Sequence, residues 1–281
     1  MTFGSRLAAA MDARGPLCVG IDPHASLLDA WGLPDTADGV AAFSLAVLRA
    51  VGGLVAAVKP QSALFERHGS RGVAVLEEVV ATARDLDTLC IVDAKRGDIG
   101  STMAGYADAY LGDSPLAGDA VTLSPFLGFG SLRPAIDQAI AAGRGVFVLA
   151  LTSNPEGASV QHARNADGVS VAGEIARSAG EINSSFADEP FGPVGLVVGA
   201  TIGDAAVRLG VDLAGVHGPL LAPGVGSQGA GPAELQSVFG EARRAVLASS
   251  SRGILRAGPN ESSLRSAALR SSEEVARALG R

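Results

Sequence analysis

Eight short apolar runs, helix-periodic segments between them, and a chain of 281 residues together predict a single-domain (β/α)8 barrel. The runs occupy 17–22, 54–59, 89–95, 120–124, 146–153, 194–199, 220–224 and 245–250. Each is too short for a core helix and rich in Val, Ile, Leu and Ala, as expected of strands buried on both faces. The length fits a barrel of about 250 residues without a second domain. Pattern alone leaves an open doubly wound sheet as the alternative.

Taken in order, the connecting segments carry their own signals. Asp35 and Thr36 stand before the first periodic stretch, in which Val40, Phe43, Val47, Leu48 and Val51 repeat at helical spacing. Val73, Leu76, Val79, Val80 and Ala83 form the second such stretch. Ser131 precedes the fourth, Gly231 and Pro232 open the seventh, and Glu261 with Ser262 open the last. The longest connection, 154–193, is polar at first and reads as helix over 169–186, an insertion within the one domain that spans 1–281.

Hydrophobic residues make up 47% of the chain but aromatics only 4%, so the core is expected to be built from small aliphatic side chains. The net charge of −7, with no basic run, argues against binding to nucleic acid or an anionic membrane. Any anionic substrate must then be held by a few placed cations. Cys18 and Cys90 lie in apolar runs without metal-ligand spacing and read as buried thiols; His24, His68, His162 and His217 show no ligand spacing either. No metal site is expected. The apolar stretch 7–11 is broken by Asp12 and Arg14, and no run approaches the roughly 18 residues of a membrane span, so a soluble cytoplasmic protein is expected.

Charges gather where the strands end. Residues of like parity share a face, so Leu89, Ile91, Asp93 and Lys95 line one side of the third strand while Cys90, Val92 and Ala94 line the other. By the same parity Cys18, Gly20 and Asp22 point inward on the first strand, and Val55, Ala57 and Lys59 on the second. A lone Asp-x-Lys at a strand mouth reads first as a structural ion pair or a solvated strand end. Here three strands aim charges at one rim, where barrel chemistry resides. After the seventh strand, 221–229 is a Gly-rich loop containing Gln228, and 249–253 closes the eighth strand with three serines, Arg252 and Gly253. Loops at these two positions commonly cradle phosphate, Arg supplying a planar fork of donors.

The run Asp93-Ala94-Lys95-Arg96-Gly97-Asp98, followed by Thr102 and joined by Val58-Lys59-Pro60-Gln61, Gly20-Ile21-Asp22-Pro23, Gln228 and Ser251-Arg252-Gly253, closely resembles the orotidine 5′-phosphate decarboxylase family, over residues 17 to 254. The longer 154–193 connection and Thr152-Ser153-Asn154-Pro155 resemble its longer bacterial branch.

That resemblance implies conversion of orotidine 5′-phosphate to uridine 5′-phosphate and carbon dioxide, with neither metal nor organic cofactor. It implies an alternating array of Lys59, Asp93, Lys95 and Asp98, with Lys95 as proton donor. It places Asp22 and Lys59 at the ribose, Ser153 at the pyrimidine edge, and Gln228, Arg252 and the Gly253 amide at the phosphate. It further implies a homodimer in which Asp98 and Thr102 reach the neighbouring subunit's nucleotide; Ser124, at the end of the fourth strand, reads as support. Sister barrels that act on sugar phosphates share the Asp-x-Lys-x-x-Asp core but place an acidic metal ligand where Lys59 stands, a cation that would repel magnesium. A nucleotide-binding barrel without catalysis is the other alternative, against which the presence of all four array residues speaks.

Overall fold

Eight parallel strands pair in chain order and close on themselves: β1 (Leu17–Ile21), β2 (Ala57–Pro60), β3 (Leu89–Arg96), β4 (Ala120–Leu123), β5 (Gly145–Leu151), β6 (Val194–Val198), β7 (Leu220–Pro223) and β8 (Val246–Ser250). The return of β8 to β1 removes the open-sheet alternative. The computed structural model describes residues 1–225 and 229–281. The principal helix after each strand is, in turn, Ala37–Val51, Gly69–Asp85, Gly100–Leu111, Arg133–Ala141, Val171–Asn183, Ala205–Leu209, Pro232–Phe239 and Glu261–Leu279. Among the described residues no helix is long and apolar enough to cross a membrane.

The interior takes an inward side chain from every strand: Cys18, Ala57, Ile91, Ala120, Phe147, Val197, Leu221 and Leu247. Three of these are small, and the single large ring of Phe147 fills the space they leave. The opposite faces of the strands, among them Val19, Val58, Val92, Val121 and Val146, pack against the helices in a separate aliphatic layer. Burial in this double layer raises the pKa of both thiols, that of Cys18 to about 12. Val55 departs from expectation. β2 begins only at Ala57, and ahead of that start Val55 packs with the outer layer while Ala56 joins the inner one.

The barrel floor is closed by an element the sequence pattern did not reveal, the helix Phe3–Arg14. Thr2 caps it, its hydroxyl accepting from the Ser5 N–H at 3.2 Å. Phe3, Leu7 and Met11, spaced at about one turn, point into the interior cluster. Phe3 meets Phe147 edge to face at 6.0 Å between ring centroids. A Cβ at Gly145 would come within 2.1 Å of the Phe3 ring, so this position requires glycine for close approach. An ion pair at 2.5 Å between Arg6 and Asp119 locks the helix to the strand bottoms, and Asp119 also accepts the Cys90 N–H at 2.9 Å.

Of the expected helix starts, Thr36 caps its helix through the Gly39 N–H, and Gly231 precedes Pro232 with the Glu234 carboxylate accepting its N–H. Asp35 instead pairs with Arg67. Ser131 does not cap: it lies in a 3-10 turn, Phe129–Leu132, and its hydroxyl donates to the Gly128 carbonyl. The last helix is capped by Asn260, whose amide oxygen takes the N–H groups of Ser262 and Ser263, leaving Glu261 free to pair with Arg49. The 154–193 connection contains the helix Val171–Asn183, shorter than 169–186 because Ser170 caps it and Ser184–Phe186 tightens to a 3-10 turn. Its end is anchored by buried Asn183, which exchanges hydrogen bonds with both backbone groups of Val194 and donates to the Val216 carbonyl.

Phe3→Ala removes a fully buried ring from the floor without touching the rim. It is expected to lower unfolding free energy by about 3–5 kcal/mol, read as a shift in the urea midpoint, with ligand binding at the opposite end retained in the folded fraction.

Candidate active site

At the C-terminal ends of the strands a cleft of about 750 Å³ opens over the interior, and Asp93 stands at its base. Oδ2 of this carboxylate accepts from Lys59 Nζ at 2.5 Å and Gln61 Nε2 at 3.1 Å; Oδ1 accepts from Lys95 Nζ at 2.5 Å and the Thr122 hydroxyl at 2.8 Å. Both oxygens are thereby saturated from three strand ends. Burial works against the charged carboxylate and is the largest single influence, yet the two ammonium groups together outweigh it and hold the Asp93 pKa at about 2. Burial likewise works against the Lys59 ammonium, but Asp93 and Asp22 overcome it and raise its pKa.

The two lysines are not equivalent. The Lys59 side chain is 9% exposed and that of Lys95 44%. Lys59 is thus a fixed internal charge, whereas the Lys95 ammonium faces the cleft and can exchange a proton with a bound molecule. Local backbone geometry produces this presentation. Between Val92 and Arg96 the pairing of β3 with β4 slips, and Lys95 takes a left-handed conformation, φ 48°. The Thr122 hydroxyl accepts the Lys95 N–H at 3.0 Å while donating to Asp93, bracing the distorted strand end.

Beyond Lys95 the chain turns sharply. A Cβ at Gly97 would fall 2.2 Å from the Ser124 carbonyl oxygen, and the Ser124 N–H donates to the Arg96 carbonyl at 2.8 Å. Arg96 anchors the turn: it pairs with Glu66, donates to the Tyr110 hydroxyl at 3.1 Å and lies over the Tyr106 and Tyr110 rings, 5.7 and 5.5 Å from their centroids.

The remaining predicted residues divide into two groups. Asp22, Arg252 and Gly253 line the same cleft as Lys59, Asp93 and Lys95. Gly20, paired in register with Lys59, leaves room for this; a Cβ there would sit 2.8 Å from Ser251 Cβ and 3.0 Å from Asp22 Oδ2. Asp98 and Thr102 lie outside the cleft of the single chain: Asp98 accepts the Ile99 N–H at 2.8 Å, and Thr102 is exposed on the helix Gly100–Leu111. Ser153 is displaced too. Pairing of β5 with β6 slips between Leu149 and Leu151, which reverses the parity, so Thr152 and Asn154 line the cleft while Ser153 sits beside Gly199. Gln228 lies outside the described residues. At the loop's base, Val225 bridges Ala230, and Gly229 packs so close to the Gly224 carbonyl that only glycine fits.

Three contributors escaped the sequence reading. Thr122 carried a usable signal, as a hydroxyl at an inward position of an otherwise apolar strand. Gln61 carried a weaker one, two residues beyond Lys59. Arg96 was read only as a member of the run from Asp93 to Asp98.

The family model described as orotidine 5′-phosphate decarboxylase / HUMPS family matches residues 15–267. A Streptomyces coelicolor protein named orotidine 5′-phosphate decarboxylase is 57% identical over 274 residues, covering 97% of this chain and 96% of that protein. A Salinispora arenicola protein of the same name is 57% identical over 268 residues, covering 95% and 94%. Among solved structures, one from Streptomyces avermitilis superposes with a TM-score of 0.94 at 56% identity, covering 100% of this chain and 96% of that one. The Leishmania donovani OMP decarboxylase has a TM-score of 0.75 at 29% identity and full coverage of both chains.

The pH dependence of stability follows from Asp93, whose folded pKa lies below its ordinary value of 3.8. Its contribution, on the order of 2 kcal/mol, is fully present above pH 4 and is lost as pH falls through about 2. Urea midpoints measured from pH 6 to pH 2 should show this acid loss in the native protein and lack that component in Asp93→Asn.

Proposed function

Because the chain belongs to the orotidine 5′-phosphate decarboxylase / HUMPS family, we propose that it is a carboxy-lyase converting orotidine 5′-phosphate to uridine 5′-phosphate and carbon dioxide, a step in forming pyrimidine nucleotides. The observation that carries this reading is an ionised, buried Asp93 clamped between two ammonium groups, one of them open to the cleft.

In this reading the substrate carboxylate lies beside Asp93. Two like charges in a dry site repel each other, and the repulsion is relieved as the bond from the ring carbon to the carboxylate breaks and carbon dioxide departs. The bonding electron pair stays on the ring carbon, where no adjacent carbonyl delocalises it, so stabilisation must come from the fixed field of the site. The Lys95 ammonium provides it and then transfers a proton to that carbon, becoming a neutral amine that regains a proton from solvent. Lys59 holds Asp93 ionised and in place throughout. The reaction needs neither metal nor organic cofactor: a divalent cation at Asp93 would have to displace Lys59, which separates this site from sugar-phosphate barrels with an acidic residue there.

Asp22 and Lys59 face the ribose hydroxyls, and Arg252 with the Gly253 amide, joined by Gln228, holds the phosphate. The segment 152–154, rather than Ser153 alone, meets the pyrimidine edge. Phosphate binding energy, realised far from the breaking bond, serves to assemble the site. The working form is a cytoplasmic homodimer in which the partner subunit's Asp98 and the partner subunit's Thr102 complete each nucleotide site. Supporting this, Ile99, Phe126 and Leu127 are 62, 75 and 52% exposed beside the ends of β3 and β4, an apolar surface next to Asp98 suited to a second copy.

Decarboxylation is followed by the loss of orotate-ring absorbance. Lys95→Ala should reduce kcat at least 10²–10⁴-fold with nucleotide binding retained; near-normal turnover by a pure preparation would overturn the assignment of the proton donor.

Site sharing is tested with mixed dimers of Lys95→Ala and Asp98→Ala subunits. One site of each heterodimer then regains both native residues, and activity should recover well above either parent. No recovery in verified heterodimers would place Asp98 in service of its own chain.

A further inference from the structure

The nucleotide assignment uses only part of the cleft. Past Arg252 and Gly253 its wall continues along Arg256 and onto one face of the C-terminal helix, formed by Ala267, Arg270, Ser271 and Glu274. These four recur at the spacing of a single helical stripe, and the small side chains of Ala267 and Ser271 leave room beside the Arg270 stem. Arg256 follows Arg252 by one turn, its N–H donating to the Arg252 carbonyl at 3.1 Å, so both arginines rise from the same side of their short helix.

Cations gather along this part of the wall. The chain carries a net charge of −7, yet three guanidiniums face one carboxylate, Glu274, along this stretch. Among the described residues, Arg252, Arg256 and Arg270 have no carboxylate at ion-pair distance. Unpaired cations at the wall of a concave site attract an anion, and guanidinium groups suit phosphate oxygens. Of these three guanidiniums a single 5′-phosphate uses only that of Arg252, leaving two forks along the same groove.

We propose that this outer stretch is a polyphosphate subsite, in which Arg256 and Arg270 hold the terminal phosphates of a pyrimidine nucleoside 5′-triphosphate. The nucleoside and first phosphate of that ligand occupy the decarboxylation site, so the triphosphate competes with substrate. This rests on the function proposed above and adds to it inhibition by a fully phosphorylated nucleotide of the kind its product leads to. Glu274, one turn beyond Arg270, sets a limit on how strongly the subsite holds the ligand.

The test compares competitive inhibition constants of uridine 5′-monophosphate, uridine 5′-triphosphate and inorganic tripolyphosphate, without divalent cations, for the native protein and the Arg256→Ala/Arg270→Ala variant. The native protein should bind the triphosphate at least as tightly as the monophosphate. The variant should lose about tenfold in triphosphate affinity, as two partly exposed charge-assisted contacts would give, with less than twofold change for the monophosphate and an unchanged kcat. Glu274→Gln should tighten the triphosphate about twofold. Equal effects on both nucleotides, no effect on the triphosphate, or a noncompetitive pattern would overturn the subsite; tripolyphosphate binding as tightly as the nucleotide would overturn its assignment to a nucleotide. Calorimetric titration of the triphosphate reads the subsite even if the native protein fails to decarboxylate, an outcome that would strike the proposed function instead.

Discussion

A carboxylate that is both buried and ionised is the constraint around which the rim of this barrel is organised. Desolvation alone would neutralise Asp93, and a protonated Asp93 would neither repel a carboxylate nor anchor Lys95. Keeping it charged takes donors on both oxygens, and a single strand cannot supply them. Lys59 and Gln61 come from the end of β2, Thr122 from β4 and Lys95 from β3 itself. Closure of the barrel brings these three neighbouring ends to one point, so the fold acts on the chemistry first through the protonation state of one residue.

The two ends of the barrel divide the remaining work. At the floor, Phe3, Leu7 and Met11 meet a layer of aliphatic side chains and one phenyl ring, and the ion pair of Arg6 with Asp119 seals the outside. At the rim the same inward positions become Asp22, Lys59, Asp93 and Thr122. The apolar floor excludes water from beneath the charges, which strengthens every electrostatic interaction above it. It also carries stability that the rim, with its concentrated charge and its left-handed lysine, gives up.

Much of this was legible in the sequence because it depended on local periodicity. Eight apolar runs, their parity and the charges at their ends were enough to place Asp22, Lys59, Asp93 and Lys95 together. Features that depend on register were not. The slip in β5 exchanged Ser153 for Thr152 and Asn154, and nothing in 146–153 announces it. Gln61 and Thr122 acquire their role only from which strands become neighbours. The floor helix was hidden because Phe3, Leu7 and Met11 stand in a weakly amphipathic segment that gives way to Asp12 and Arg14; what makes them a plug is the open barrel end beneath Phe147. Asp98 was legible as a member of the motif, yet the geometry of one chain leaves it outside its own cleft.

The left-handed backbone at Lys95 bears on how such a motif could be transferred to another protein. In a regular strand, residues two apart are separated by about 6.5 Å along the chain, with side chains projecting in parallel. Here the charged ends of Asp93 and Lys95 meet at 2.5 Å where the strand slips its register and turns at the lysine, with Thr122 bracing the turn from the next strand. Copying Asp-x-Lys into a straight strand of another barrel would reproduce the letters without this turned backbone and its brace. The transferable unit is the pair of adjacent strand ends with their irregular pairing, and a designer would have to graft the bulge and its threonine along with the charges.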